Sequence, residues 1–125
     1  MTSSGTVLNN GIFNLDDANN DGISQQTGTI TNGVNGMLTI TKTGVNAIFA
    51  KSTFNNNGIL NIDNGLNGIY LLFGTFNNNA NGALSITGTS FLNQGIYIDP
   101  GTFKNSGELT IQNAGSKGIE ISGGS

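Results

Sequence analysis

With 125 residues, 35% of them hydrophobic and only 9% charged, the chain fits one domain and carries far less charge than the roughly 25% of an average protein. Four Lys, no Arg and a net charge of −3 build no basic patch to neutralise phosphates, which excludes a nucleic-acid-binding surface. The absence of Cys excludes disulfides and thiolate metal sites, and no apolar run approaches the roughly 20 residues of a bilayer span. The opening MTSSG has neither a charged n-region nor an apolar h-region, so no signal peptide is expected within this chain.

Read in order, the chain repeats itself. From Gly5 it gives three short alternating runs, around Val7, then Phe13-Asn14-Leu15, then Ile23-Ser24-Gln25, with Gly and Asn between them. The same template restarts at Gly28, Ser52, Gly74 and Gly101, at spacings of 23, 24, 22 and 27 residues. The clearest copy is Ser52 to Phe73, with runs at Thr53-Phe54-Asn55, Ile59-Leu60-Asn61-Ile62 and Ile69-Tyr70-Leu71. A period in the twenties made of short alternating strands predicts a stacked solenoid. The expected fold is all-β: a single-stranded parallel β-helix (β-solenoid) of about five coils of 22–27 residues, three short strands per coil, in one domain spanning 1–125.

Aligned coil on coil, the columns state what each position does. Period-2 alternation turns Val7, Ile30, Phe54, Phe76 and Phe103 inward and the preceding Thr outward. Two residues on stands an Asn in every coil: Asn9, Asn32, Asn56, Asn78 and Asn105. Stacked amides of this kind donate from one coil to the acceptor of the next, and an unpaired buried Asn would cost about 1–3 kcal/mol. The second run puts Phe13/Leu15, Leu38/Ile40, Leu60/Ile62, Leu84/Ile86 and Leu109/Ile111 in the core. The third adds Ile23, Ile48, Ile69, Ile96 and Ile119, followed two residues later by Gln25, Ala50, Leu71, Ile98 and Ile121. Gly11, Gly36, Gly58, Gly82 and Gly107 open the second run, and Gly22, Gly68, Gly95 and Gly118 the third; as corner residues they are expected to take positive φ. Length varies in the corner after the second run, which reads DANND, KTGVN, NGLN, GTSFLNQ and NAGSK.

The G-T-F-x-N-x-G-x-L-x-I string at Gly101 to Ile111 and the G-I-x-I string at Gly118 to Ile121 resemble those of the right-handed parallel β-helices of secreted bacterial adhesins and surface-fibre proteins. The resemblance covers nearly the whole chain and implies an extracellular or cell-surface structural role. It also implies a right-handed coil, in keeping with the general preference for right-handed crossovers.

Candidate chemistry is sparse. Asp16 and Asp63 share an outward slot two coils apart, roughly 10 Å by strand spacing, a separation that suits an inverting carboxylate pair. Thr41 lies between them and nothing nearby would raise either pKa, so they read as solvated surface acids. There is no Arg or His to act as base, and Lys42, Lys51, Lys104 and Lys117 fall at different coil positions; the chain is expected not to be an enzyme. Asp17-Ala18-Asn19-Asn20-Asp21-Gly22 matches the first half of a calcium loop, with Asp17, Asn19 and Asp21 as alternating oxygen ligands. No bidentate Glu completes it, and an Asx-rich turn explains the same string. Calcium is the one cofactor the sequence raises.

Phe49, Tyr70 and Tyr97 fall in the outward slot of the third run, between Ser24 and Glu120, with Leu72 and Phe73 nearby. They predict a surface for a partner, for lateral self-association or for stacking on a surface glycan, unless a corner loop folds over them. The outward Thr6, Thr29, Thr53, Thr75 and Thr102 invite an ice-binding reading. The adjacent outward slot holds Leu8, Thr31, Asn55, Asn77 and Lys104, so a second Thr rank is missing and β-propensity explains the column.

Neither MTSSG nor the closing SGGS resembles a helix able to cover an open solenoid end. Val7, Phe13 and Ile23 at one end, and Phe103, Leu109 and Ile119 at the other, are expected to meet as consecutive coils do. The partner is then a second copy, joined head to tail or laterally, or the rest of a longer solenoid. The sequence thus predicts a non-enzymatic fibre or adhesin-stalk segment, with a carbohydrate-binding adhesin module or an ice-binding solenoid as the alternatives.

Overall fold

The computed structural model describes residues 1–63, 65–88 and 93–125, so the NGLN and GTSFLNQ corners fall partly outside the described residues. The chain enters on a two-residue strand, β1 (Thr2–Ser3), and then winds five times. The first winding contributes β2 (Val7–Asn9), β3 (Ile12–Asp16) and β4 (Ile23–Gln25); the second, β5 (Thr29–Asn32), β6 (Met37–Thr41) and β7 (Asn46–Ala50). The third holds β8 (Thr53–Asn56), β9 (Ile59–Asp63) and β10 (Asn67–Leu71), and the fourth β11 (Thr75–Asn78), β12 (Ala83–Thr87) and β13 (Gln94–Ile98). The fifth closes with β14 (Thr102–Asn105), β15 (Glu108–Gln112) and β16 (Lys117–Ile121).

Each strand pairs in parallel with its counterpart one winding away, which gives three sheets. One runs β2-β5-β8-β11-β14, the second β3-β6-β9-β12-β15 and the third β1-β4-β7-β10-β13-β16. No helix occurs among the described residues, and therefore none long and apolar enough to cross a membrane. The parallel β-solenoid read from the repeats is the fold of the chain.

The register repeats the sequence alignment residue for residue. Val7, Ile30, Phe54, Phe76 and Phe103 are successive partners in the first sheet. Leu15, Ile40, Ile62, Ile86 and Ile111 are successive partners in the second. In the third sheet the partners are Ile23, Ile48, Ile69, Ile96 and Ile119. Within the middle windings the core side chains are closed off completely, Ile40, Leu60, Leu71 and Phe76 among them. The rings of Phe54, Phe76 and Phe103 stack nearly parallel at 4.9 and 5.6 Å. Each such side chain contributes about 1.5–3 kcal/mol on burial, but only because a winding lies on either side of it.

The glycine columns have a different cause from the one expected. After the second strand, positive φ falls at Asp17 (60°), Lys42 (49°), Gly88 (64°) and Asn113 (57°), and elsewhere at Gly28, Phe73 and Gly124, but not at the glycines opening the second and third strands. Most of those glycines are needed for space; only at Gly11 and Gly118, in the terminal windings, would a Cβ meet nothing closer than 4.0 Å. A Cβ at Gly58 would lie 2.3 Å from the carbonyl oxygens of Gly33 and Gly36, and one at Gly107 would lie 2.2 Å from that of Gly82. The windings approach too closely there for any side chain.

Both termini carry on the winding instead of ending bare. Thr2 and Ser3 pair with Ser24 and Gln25, and the Met1 ammonium donates to the Gly22 carbonyl. At the other end Gly124 bridges Gly101, and the Ser125 amide donates to the Gly101 carbonyl at 2.9 Å. The second sheet gains no such extra strand, and Phe13, Leu15, Leu109 and Ile111 are left half-buried.

Among the described residues, Lys42 is the one long side chain at the left-handed corner after the second strand, where Asp17, Gly88 and Asn113 stand in the first, fourth and fifth windings. Left-handed backbone costs an ordinary L-residue about 1–2 kcal/mol, whereas Asn tolerates it. Lys42→Asn is therefore expected to raise unfolding stability by about 0.5–1 kcal/mol in urea titration; an equal or lower midpoint would contradict the strain assigned to this corner.

Candidate functional site

The inner amide ladder is continuous. Asn9 Nδ2 donates to Asn32 Oδ1 at 2.9 Å, Asn32 to Asn56 at 2.9 Å, Asn56 to Asn78 at 2.8 Å and Asn78 to Asn105 at 2.7 Å. Each donor also reaches a carbonyl at or just before the start of the next winding's second strand, as Asn32 does to Ile59 and Asn78 to Glu108. Asn32, Asn56 and Asn78 are buried, and Asn105 at the last winding is exposed. All five residues named by the sequence are thus brought into one column. Every donor points toward the C-terminal winding, so the ladder has a direction.

A second ladder, not foreseen in the sequence, runs the other way along the corner before the third strand. Asn93 Nδ2 donates to Asn67 Oδ1 at 3.3 Å, Asn67 to Asn46 at 2.8 Å and Asn46 to Asp21 Oδ1 at 2.8 Å. The Asn46 backbone amide also donates to Asp21 Oδ1, at 3.1 Å. The signal was present as Asp21, Asn46, Asn67 and Asn93 at coil spacing, but unequal corner lengths hid the alignment.

This ladder gives Asp21 a role apart from the calcium reading. Asp17 sits at the left-handed corner, and Asp16 accepts from Thr41 Oγ1 at 2.5 Å and pairs with Lys42 at 3.7 Å. Among the described residues no three carboxylates, histidines or cysteines gather into a group able to hold a metal ion. The same contacts bear on the Asp16–Asp63 pair. Register places Thr41 between them, and Thr87 Oγ1 donates to Asp63 at 3.1 Å. The Thr41 hydroxyl, with Lys42 beside it, holds the Asp16 carboxyl below its usual range, the opposite of what a general acid needs.

The outward aromatic column is a ladder of rings. Phe49 and Tyr70 have centroids 5.3 Å apart, and Tyr70 and Tyr97 5.0 Å, with tilted planes. All three are half-buried, and the Tyr97 hydroxyl donates to Asp99 Oδ2 at 3.1 Å. Burial, then the nearby Asp99 carboxylate and Tyr97, push the Tyr70 phenol above its ordinary value. At the C-terminal end of the column Glu120 takes hydrogen bonds from Lys117 at 2.9 Å and from Gln94, and these hold its carboxyl below the usual range.

At the N-terminal end the column steps down. Ser24 and then Thr2 occupy the places beyond Phe49, and a cleft of about 470 Å³ opens there. Its walls are Thr2, Ser24, Asn46 and Phe49 on the strands and Asn20, Asp21 and Val45 on the corners.

The columns named as end-to-end contacts are open where interior ones are closed. Val7, Phe13, Phe103 and Leu109 are half-buried and Ile119 is 44% exposed, while Ile23, shielded by β1, is fully buried. The sequence reading missed an outward ridge at the start of the second strands, where Ile12, Met37 and Ile59 are exposed side by side. Apolar residues in a slot predicted to face solvent were its signal. The outward Thr29, Thr53, Thr75 and Thr102 are in register, beside a rank in which Asn77 donates to Asn55 at 2.8 Å. Comparison with protein-family models, with curated proteins and with solved structures gives no match, so this geometry alone carries the functional argument.

Asn56→Ala is expected to cost about 1–3 kcal/mol, because it leaves Asn78 Oδ1 without its donor inside the core and takes from Asn32 one of its acceptors. Asn105→Ala, at the exposed end of the same column, should cost less than about 0.5 kcal/mol. Equal losses by chemical denaturation would show that the ladder does not act as described.

Proposed function

We propose that this chain is a non-enzymatic structural rod, a segment of an extracellular fibre or adhesin stalk whose terminal windings receive further windings. The observation that carries the reading is the contrast along single columns: Ile69 and Ile96 are fully buried, while Ile119 in the same column is 44% exposed, and Ile121 beyond Ile98 is 56% exposed. The surface that closes these columns elsewhere is another copy of the same winding, and the backbone edge of β16 is ready for another parallel strand. That strand can come from the same polypeptide or from a second copy.

The amide ladder supports a head-to-tail sense. Its C-terminal end presents a donor at Asn105 and its N-terminal end an acceptor at Asn9, so like ends do not complement one another. Met1–Ser3 fill part of the next turn of the third sheet at the N-terminal end and Gly124–Ser125 part of the first sheet at the C-terminal end. This leaves the second sheet open at both ends, at Phe13 and Leu109, together with β2 at the N-terminal end and β16 at the C-terminal end. The extracellular setting is part of the proposal and is supported only by the likeness of the Gly101–Ile111 and Gly118–Ile121 strings to those of adhesin and surface-fibre β-helices.

Sedimentation and negative-stain microscopy of the 125-residue chain test this. The average mass should grow with concentration, rods longer than five windings should appear, and Leu109→Glu with Ile119→Glu should hold the protein at monomer mass. A parent chain that stays monomeric at every concentration would remove self-assembly from the proposal.

A further inference from the structure

We propose that the cleft at the open end of the ring ladder binds a single neutral sugar residue of a glycan. The inference goes beyond the rod reading and does not depend on it. The ladder of Tyr97, Tyr70 and Phe49 stops because Ser24 and Thr2, the next two residues in its column, are too small to continue the stack. The step left beside Phe49 has a volume of about 470 Å³, within the roughly 300–1,000 Å³ of small-molecule sites.

The polar atoms around this step are fixed before any ligand arrives. Asn46 is buried; it accepts from Asn67 and donates twice to Asp21 Oδ1, so the corner ladder locks both side chains. Asp21 Oδ2 is left to accept from a ligand hydroxyl. Ser24 Oγ accepts from Gln26 Nε2 at 2.9 Å, which leaves its own proton to donate. Asn20 adds an exposed amide with both donor and acceptor. An apolar ring with a donor, an acceptor and an amide at its rim complements a pyranose, which offers C–H bonds on its face and hydroxyls at its edge. Preorganisation of Asp21 and Asn46 lowers the entropy lost on binding.

Charge argues against an anion, which would meet the Asp21 carboxylate. Lys51, whose Nζ lies 5.5 Å from the Phe49 centroid, is not among the residues lining the cleft, so a cation is the competing ligand that the test must separate from a neutral polyol.

The test is saturation-transfer difference NMR on the 125-residue chain, which works on monomers and assemblies alike. The probes are the methyl glycosides of glucose, galactose, mannose, fucose and N-acetylglucosamine, with tetramethylammonium as a separate arm. At least one glycoside should receive saturation, strongest on the C–H protons of one ring face. Ser24→Phe, which extends the ladder into the step, and Phe49→Leu, which removes the ring, should each weaken it at least about tenfold. If Ser24→Phe does not fold, Phe49→Leu decides alone. No saturation on any glycoside, parental affinity in the folded variants, or saturation of tetramethylammonium alone would overturn the proposal.

Discussion

A buried side-chain amide that must find its partner one winding away constrains everything else in this molecule. Asn32, Asn56 and Asn78 lie in the core with their donors and acceptors matched along the axis. A slip of one residue would turn each of them to the opposite face and expose the apolar residue two places earlier. Apolar burial resists that slip too, but a slip of two residues would keep Leu, Ile and Phe on the inner face, and there only the amides object, since each would stand against an apolar side chain. The amide column selects one register, and the Phe54–Phe76–Phe103 stack then forms in that register.

The interior is accordingly uniform, and the individuality of the chain lies outside it. On the outward side one column changes from Thr2 and Ser24 to Phe49, Tyr70, Tyr97 and Glu120 within six strands. The corners before the third strand hold an amide ladder that runs opposite to the inner one and ends on a carboxylate, Asp21. A rigid scaffold that repeats inside and varies outside can carry recognition without altering its fold.

How far this was legible in the sequence differs from place to place. The three strands, their register and the inner Asn column could be read because each run keeps its alternation and nearly its length from winding to winding, with five residues in every second strand, so a simple alignment superposes them. The corner ladder could not, because corners of unequal length break the alignment between Asp21, Asn46, Asn67 and Asn93. The purpose of the opening glycines was misread for a different reason. Glycine answers both to positive φ and to close approach, and only geometry shows that Gly58 and Gly107 are pressed against carbonyls while Asp17 and Lys42 take the left-handed turn. The aromatic column was visible, but not the step beside Phe49, which depends on what two small residues fail to fill.

Hydrogen exchange of the side-chain amides examines the central constraint most directly. The Nδ2 protons of Asn32, Asn56 and Asn78 should exchange orders of magnitude more slowly than those of exposed Asn10 and Asn105. Exchange of all five at the rate of a free carboxamide would mean that the windings are not locked by their amides, and the account would fail.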